Sequence, residues 1–271
     1  MLTSAIRHIS YNCTFISPKG HTLRALFFLF LSTSLFALVT IAPVDIGSKP
    51  GLSGNVSGSL SSKSGNTQKD EYSLGLRAQY DQGSDYVTWG ALTYDYGKSN
   101  GTKNEDKIYA HLRYIHAIDD AKIWTSEFFL QTERDKFKAI NERSLIGAGL
   151  RWRFLNSEEW GKAYAGLGGM LERIDYTHPQ INPNENNTRL NSYVAWTQTF
   201  SNTTKLSFLG YFQPKFSDTS DYVALQTLEL IVPIYGKLNL TLTAKYGYDS
   251  TPPVDVKKAD SAYVTSLLWS F

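Results

Sequence analysis

From Gly51 onward the chain keeps returning to a two-residue alternation of apolar and polar positions. In KLNLTLTAKYGYDS, Leu238, Leu240, Leu242, Ala244, Tyr246 and Tyr248 share one face, while Asn239, Thr241, Thr243, Lys245 and Gly247 share the other. SLIGAGLRWRF sets Ile146, Ala148, Leu150, Trp152 and Phe154 against Gly147, Gly149, Arg151 and Arg153. IYAHLRY and YSLGLRAQY repeat the pattern, and the last residues, TSLLWSF, step Phe271, Trp269 and Leu267 along one side. Period two marks β-strands with one apolar face, and no stretch after Gly51 has the 3.6-residue period of a helix.

The pattern predicts about twelve strands, over 51–62, 70–81, 85–97, 105–117, 121–133, 143–155, 161–174, 189–200, 204–214, 222–234, 236–249 and 260–271. Many match or exceed the roughly 9–11 residues that cross a bilayer at a tilt. The third and eighth carry aromatics on both faces, which leaves their register open. Tight connections such as DQGSD alternate with longer polar ones such as GKSNGTKNEDK, TERDKFKAINER, YTHPQINPNENN and DSTPPVDVKKAD. Short turns at one end and long loops at the other characterise an outer-membrane barrel, and an even strand number returns both termini to the periplasm. The apolar face ends in rings (Tyr94 and Tyr96, Trp152 and Phe154, Tyr246 and Tyr248, Trp269 and Phe271), which suit the two water–lipid boundaries. Backbone groups in hydrocarbon have no water to bond, so such a sheet must close on itself. The fold expected is all-β, a single transmembrane antiparallel up-and-down barrel over 51–271.

Composition sharpens this picture. Aromatics are 14% of 271 residues, yet mean hydropathy is −0.29, far below that of a helical membrane protein. The one long apolar run, Ala25–Ala42, follows Lys19, His21 and Arg24 and precedes Pro43. It lies between a secretory h-region and a membrane span in length, and the barrel behind it favours a signal peptide. Residues 1–42 are therefore read as an extension with an export signal, and 43–50 as a short periplasmic segment. Cys13, the single cysteine, precedes that run, so a mature chain would have no disulfide, zinc site or thiol nucleophile. A net charge of +2 with scattered basic residues argues against a nucleic-acid partner. The expected partners are outer-membrane lipid and lipopolysaccharide.

YFQP (Tyr211–Pro214), YGYDSTPPVDVKKAD (Tyr246–Asp260), a last strand ending in WSF and GLSGNVSGSLSSKSGNTQ (Gly51–Gln68) resemble the YdiY-like family. Its members are described as salt-induced outer-membrane proteins, and their domain has no established function. The resemblance implies a barrel in the outer membrane of a Gram-negative bacterium, reached by export through the inner membrane. It implies no activity and no catalytic residues. The C-terminal strand ending in Phe271 also resembles the one read by the bacterial barrel-assembly machinery.

Chemistry, if present, belongs to the lumen. The register turns Arg77, Arg113, Arg151, Arg153 and Lys245 inward, with Glu127, Glu133, Glu172 and Glu229. Such a mixture either fills the lumen with ion pairs or forms a charged constriction that sorts small solutes; Arg113, Arg151 and Arg153 would then favour anions. Gly147, Gly149, Gly166 and Gly168 also face inward, either bending the wall or making room for a large side chain. His111 is expected to be a satisfied lumen residue, and no serine stands near a histidine in a hydrolase pattern. No cofactor or metal site is expected, although Asp249, Asp255 and Asp260 share one external loop. Two functions remain open: a narrow channel for small solutes linked to salt or osmotic stress, or a non-conducting barrel acting through its external loops.

Overall fold

The computed structural model describes residues 43–64, 68–200 and 203–271. The expected leader lies outside them. Twelve strands, β1 (Gly51–Lys63), β2 (Lys69–Asp81), β3 (Tyr86–Ser99), β4 (Thr102–Ala117), β5 (Trp124–Asp135), β6 (Ile140–Ser157), β7 (Gly161–Tyr176), β8 (Glu185–Thr199), β9 (Lys205–Pro214), β10 (Tyr222–Tyr235), β11 (Leu238–Asp249) and β12 (Ala259–Ser270), pair antiparallel with their sequence neighbours. β12 returns to β1 and closes the barrel. The only helix among the described residues is a single 3-10 turn, Lys136–Lys138; none is long and apolar enough to cross a membrane, which bears on helices alone.

Alternation decides which side each residue takes. Leu74, Leu112, Ile146, Leu167 and Leu267 stand about half exposed on the outside, whereas Ser73, Arg113, Thr243 and Ser266 are buried inside. Rings gather near both ends of the exterior. Tyr72 stacks on Tyr96 at 4.9 Å and Tyr222 on Tyr248 at 5.6 Å at the loop end; Trp124 stacks on Trp152 at 5.9 Å at the end where β1 begins and β12 finishes. The two ambiguous registers resolve with Trp89 of β3 and Tyr193 of β8 turned inward.

The loop lengths depart from expectation. GKSNGTKNEDK and TERDKFKAINER are mostly strand: β3 and β4 run to a two-residue turn at Asn100–Gly101, both with positive φ as a type I′ hairpin requires, and β5 and β6 run to 136–139. β8 likewise starts at Glu185. Strands that outrun an apolar belt become polar on both faces, so hydropathy reads them as loops. Long connections remain at 177–184, 215–221 and 250–258.

Closure is uneven. Every residue of β1 pairs with β2, but pairing of β1 with β12 is confined to Asn55–Gly58 against Leu267–Ser270, extended by the Gly54–Phe271 backbone bonds. The opposite wall is paired from end to end, β6 and β7 running from Ile140–Tyr176 to Ser157–Gly161 with bulges at Asn141 and Phe154.

Candidate functional site: the barrel interior

The segment before β1 does not trail away from the barrel. It folds into the terminal mouth as a floor. Val44 and Ile46 are buried against Val87 and Ile115, and the Val44 carbonyl accepts a 2.8 Å bond from Arg151 Nη2. The Asp45 carboxylate accepts from Lys162 Nζ at 2.5 Å and from the Tyr164 hydroxyl, with Arg151 and Arg153 at 3.8 and 3.9 Å. Burial raises the Asp45 pKa, but the bonds from Lys162 and Tyr164 and the nearby cations outweigh it, so the carboxyl lies below its ordinary value. Asp81, at the end of β2, accepts from the Gly47 and Lys49 amides at 2.9 and 3.0 Å.

Above the floor, Glu127 joins the wall. It lies 3.7 Å from both Arg113 and Arg151 and accepts a 2.6 Å bond from the buried Tyr193 hydroxyl. Arg113 donates to the Tyr211 hydroxyl at 3.2 Å, and Arg77 lies over the Trp89 ring at 4.2 Å. Nearer the loops, opposite charges alternate from strand to strand. Lys107 meets Glu133 at 3.4 Å; Arg143 meets Glu133 at 3.0 Å and Glu172 at 2.5 Å; Arg189 meets Glu172 at 2.7 Å and Asp221 at 3.0 Å. Pairs of this kind, withdrawn from bulk water, depend on both partners being present.

Between floor and loops lies a chamber of about 420 Å³, reached by Pro43 and Val44 below and by Pro252, Pro253 and Val256 above. The connection at 250–258 leans over the mouth. The Val254 amide donates to Asn182 Oδ1 at 2.9 Å, and Asp260 at its foot pairs at 2.8 Å with Lys138, on the connection between β5 and β6. Ten Lys and Arg side chains line the chamber against seven Asp and Glu among the described residues.

The structure turns every expected lumen residue inward. Arg113, Arg151, Glu127, Glu133 and Glu172 join networks, Glu229 is completely buried, Lys245 lines the chamber, and Arg153 sits beside the floor, donating to the Ala121 carbonyl at 2.7 Å. Arg113, Arg151 and Arg153 all have acidic neighbours, so they do not form a ring of unopposed positive charge. The four glycines divide. A Cβ on Gly147 would enter the Phe129 ring and one on Gly166 the Tyr193 ring, so these two make room. Gly149 and Gly168 face each other across β6 and β7, where a Cβ would meet opposing backbone. His111 faces the lumen as expected, stacked on Trp89 at 4.7 Å with Gln131 as its polar neighbour across the strand pair, and one ring nitrogen is left without a protein partner. Asp45, Arg143 and Arg189 went unassigned by alternation because they lie in, or at the edge of, polar stretches read as connections.

A family model described as a protein of unknown function, DUF481, matches residues 56–271, which take in nearly the whole barrel. The chain belongs to the DUF481 family. This agrees with the resemblance to YdiY-like proteins, and the description carries no activity. No curated protein matches the chain. Among solved structures it is similar to the translocator domain of the autotransporter NalP from Neisseria meningitidis (10% identity, 83% of this chain and 89% of that one, TM-score 0.44). It is also similar to the β domain of the Bordetella autotransporter BrkA (12% identity, 82% and 98%, TM-score 0.40). With its apolar belt and ringed ends, this DUF481 chain is a β-barrel of the outer-membrane type.

Proposed function

We propose that the protein spans the outer membrane of a Gram-negative bacterium as a narrow channel for small solutes, held shut by its own Pro43–Pro50 segment. The exterior supports the location, because a band of Leu and Ile bounded by rings is stable in lipid and not in water. In that setting the termini face the periplasm, the connections at 177–184, 215–221 and 250–258 face outward, and the strand ending at Phe271 is what the assembly machinery reads. The observation that carries the channel reading is the reach of the chamber. It extends from the loop end down to Pro43 and Val44, so a short chain segment, not the wall, bounds it below. A tie to salt or osmotic stress follows the family resemblance. The reading is one of passage and not of chemistry.

Planar-bilayer recording tests it. The full chain should be silent, and a variant lacking Pro43–Pro50 should give stable single-channel steps. A deletion variant that still migrates as a compact, heat-modifiable barrel but never conducts would end the channel reading. A non-conducting barrel acting through its loops would take its place.

A further inference from the structure

Two walls of the chamber differ in chemistry. One is aromatic. Trp89 stacks on His111, which lies parallel to Tyr109 at 6.2 Å and to Phe129 at 6.3 Å, and Tyr211 stands at the chamber side of β9. The other is the ladder from Lys107 to Asp221, in which each charge already has an opposite charge within 3.4 Å. An incoming ion would have to shed its hydration for a wall whose charges are matched, which is unfavourable. A hydroxyl meets no such cost, because it donates to a carboxylate while accepting from a guanidinium or ammonium.

His111 supplies the second, independent observation. Its side chain lines the chamber, the residue is only 8% exposed, and its ring meets Gln131 on one side while the other nitrogen has no protein partner. Gln131, its cross-strand neighbour, is shared between the His111 ring and the Tyr109 hydroxyl, which donates to its carbonyl at 3.2 Å. A buried polar group left unpaired costs free energy, and such groups mark places where something else binds. A neutral imidazole offers one N–H donor and one bare nitrogen acceptor, and a solute hydroxyl satisfies whichever of them Gln131 leaves.

From these facts we infer that the chamber binds a small neutral polyhydroxylated solute, a sugar or cyclic polyol, with its C–H groups against the aromatic wall and its hydroxyls on His111 and the Lys107–Asp221 ladder. The volume of about 420 Å³ lies within the range of small-ligand sites. The inference rests on the chamber of the proposed channel but not on conduction.

Trp89 reports on the site directly, because Trp124, Trp152, Trp160 and Trp269 are exposed and Trp196 donates its ring N–H to the Trp160 carbonyl on the outside. Sucrose and trehalose, titrated into the full chain and into the variant lacking Pro43–Pro50, should give a saturable fluorescence change and heat of binding in at least one of them. Sodium glutamate and inorganic phosphate at the same ionic strength should give none. His111→Phe keeps the ring and its stacking but removes both nitrogens, and should weaken sugar binding about tenfold. Saturable binding of phosphate or glutamate with inert sugars overturns the inference. So does sugar binding that His111→Phe leaves unchanged, or the absence of saturable binding in both proteins. The comparison of ligands on the unsubstituted chain stands even if His111→Phe does not fold. Silence in the bilayer with intact sugar binding would refute the channel alone.

Discussion

The wall formed by β5–β8 and the seam between β1 and β12 solve the same problem, closure of one sheet, with opposite means. On the wall, pairing runs the full length of β6 and β7, glycines receive the Phe129 and Tyr193 rings, and Glu172 is shared between Arg143 and Arg189. At the seam, β1 is rich in Gly and Ser, and its pairing with β12 stops at Gly58–Leu267. The upper part of both strands, held by β2 and β11, presents edges to each other without a ladder. The wall spends its inward positions on a fixed polar and aromatic network, whereas the seam has small side chains and little to lock it. Stability is therefore concentrated on one side of the cylinder.

The largest break in this contrast should come from Glu172→Ala. It strips a carboxylate from two buried guanidiniums and should cost about 3 kcal/mol, read as a lower urea midpoint in detergent micelles. Gly166→Ala comes next. Its new methyl group falls on the Tyr193 ring, whose hydroxyl is held by Glu127, and overpacking of this sort costs about 1–3 kcal/mol by the same measurement. The seam should answer the same chemical change with the opposite sign. At Gly58 the nearest atoms to an added Cβ are 3.8 Å away, so Gly58→Ala fits and should raise stability by about 0.5–1 kcal/mol. Equal losses at Gly58 and Gly166 would mean that the two sides are held alike.

Alternation made the fold legible because lipid and lumen impose opposite polarity on successive residues. All twelve strands overlap their expected spans. The signal weakens where that contrast fades. Arg143 and the start of β8 stand beyond the apolar belt, where both faces are wet, so the rungs they supply look like loop. Trp89 and Tyr193 blur the register because an aromatic residue suits either a lipid boundary or a packed lumen. The paired glycines are visible in the chain, but which of them faces a ring and which faces backbone depends on Phe129 and Tyr193, residues contributed by other strands. Asp45 has no periodic neighbours at all, and only its tertiary partners reveal its role. Lumen residues such as Arg113, Glu127 and Glu172 were legible as inward-facing, but not their pairing, since that depends on stagger between strands.

The floor segment is continuous with β1 through Lys49, Pro50 and Gly51. A tug on the chain ahead of Pro43 would thus reach, within eight residues, the strand that shares the shortest ladder in the cylinder. Mechanical load applied from the terminal side is delivered to the stave least able to bear it, and unstopping the barrel and prising its staves apart become successive stages of one pull.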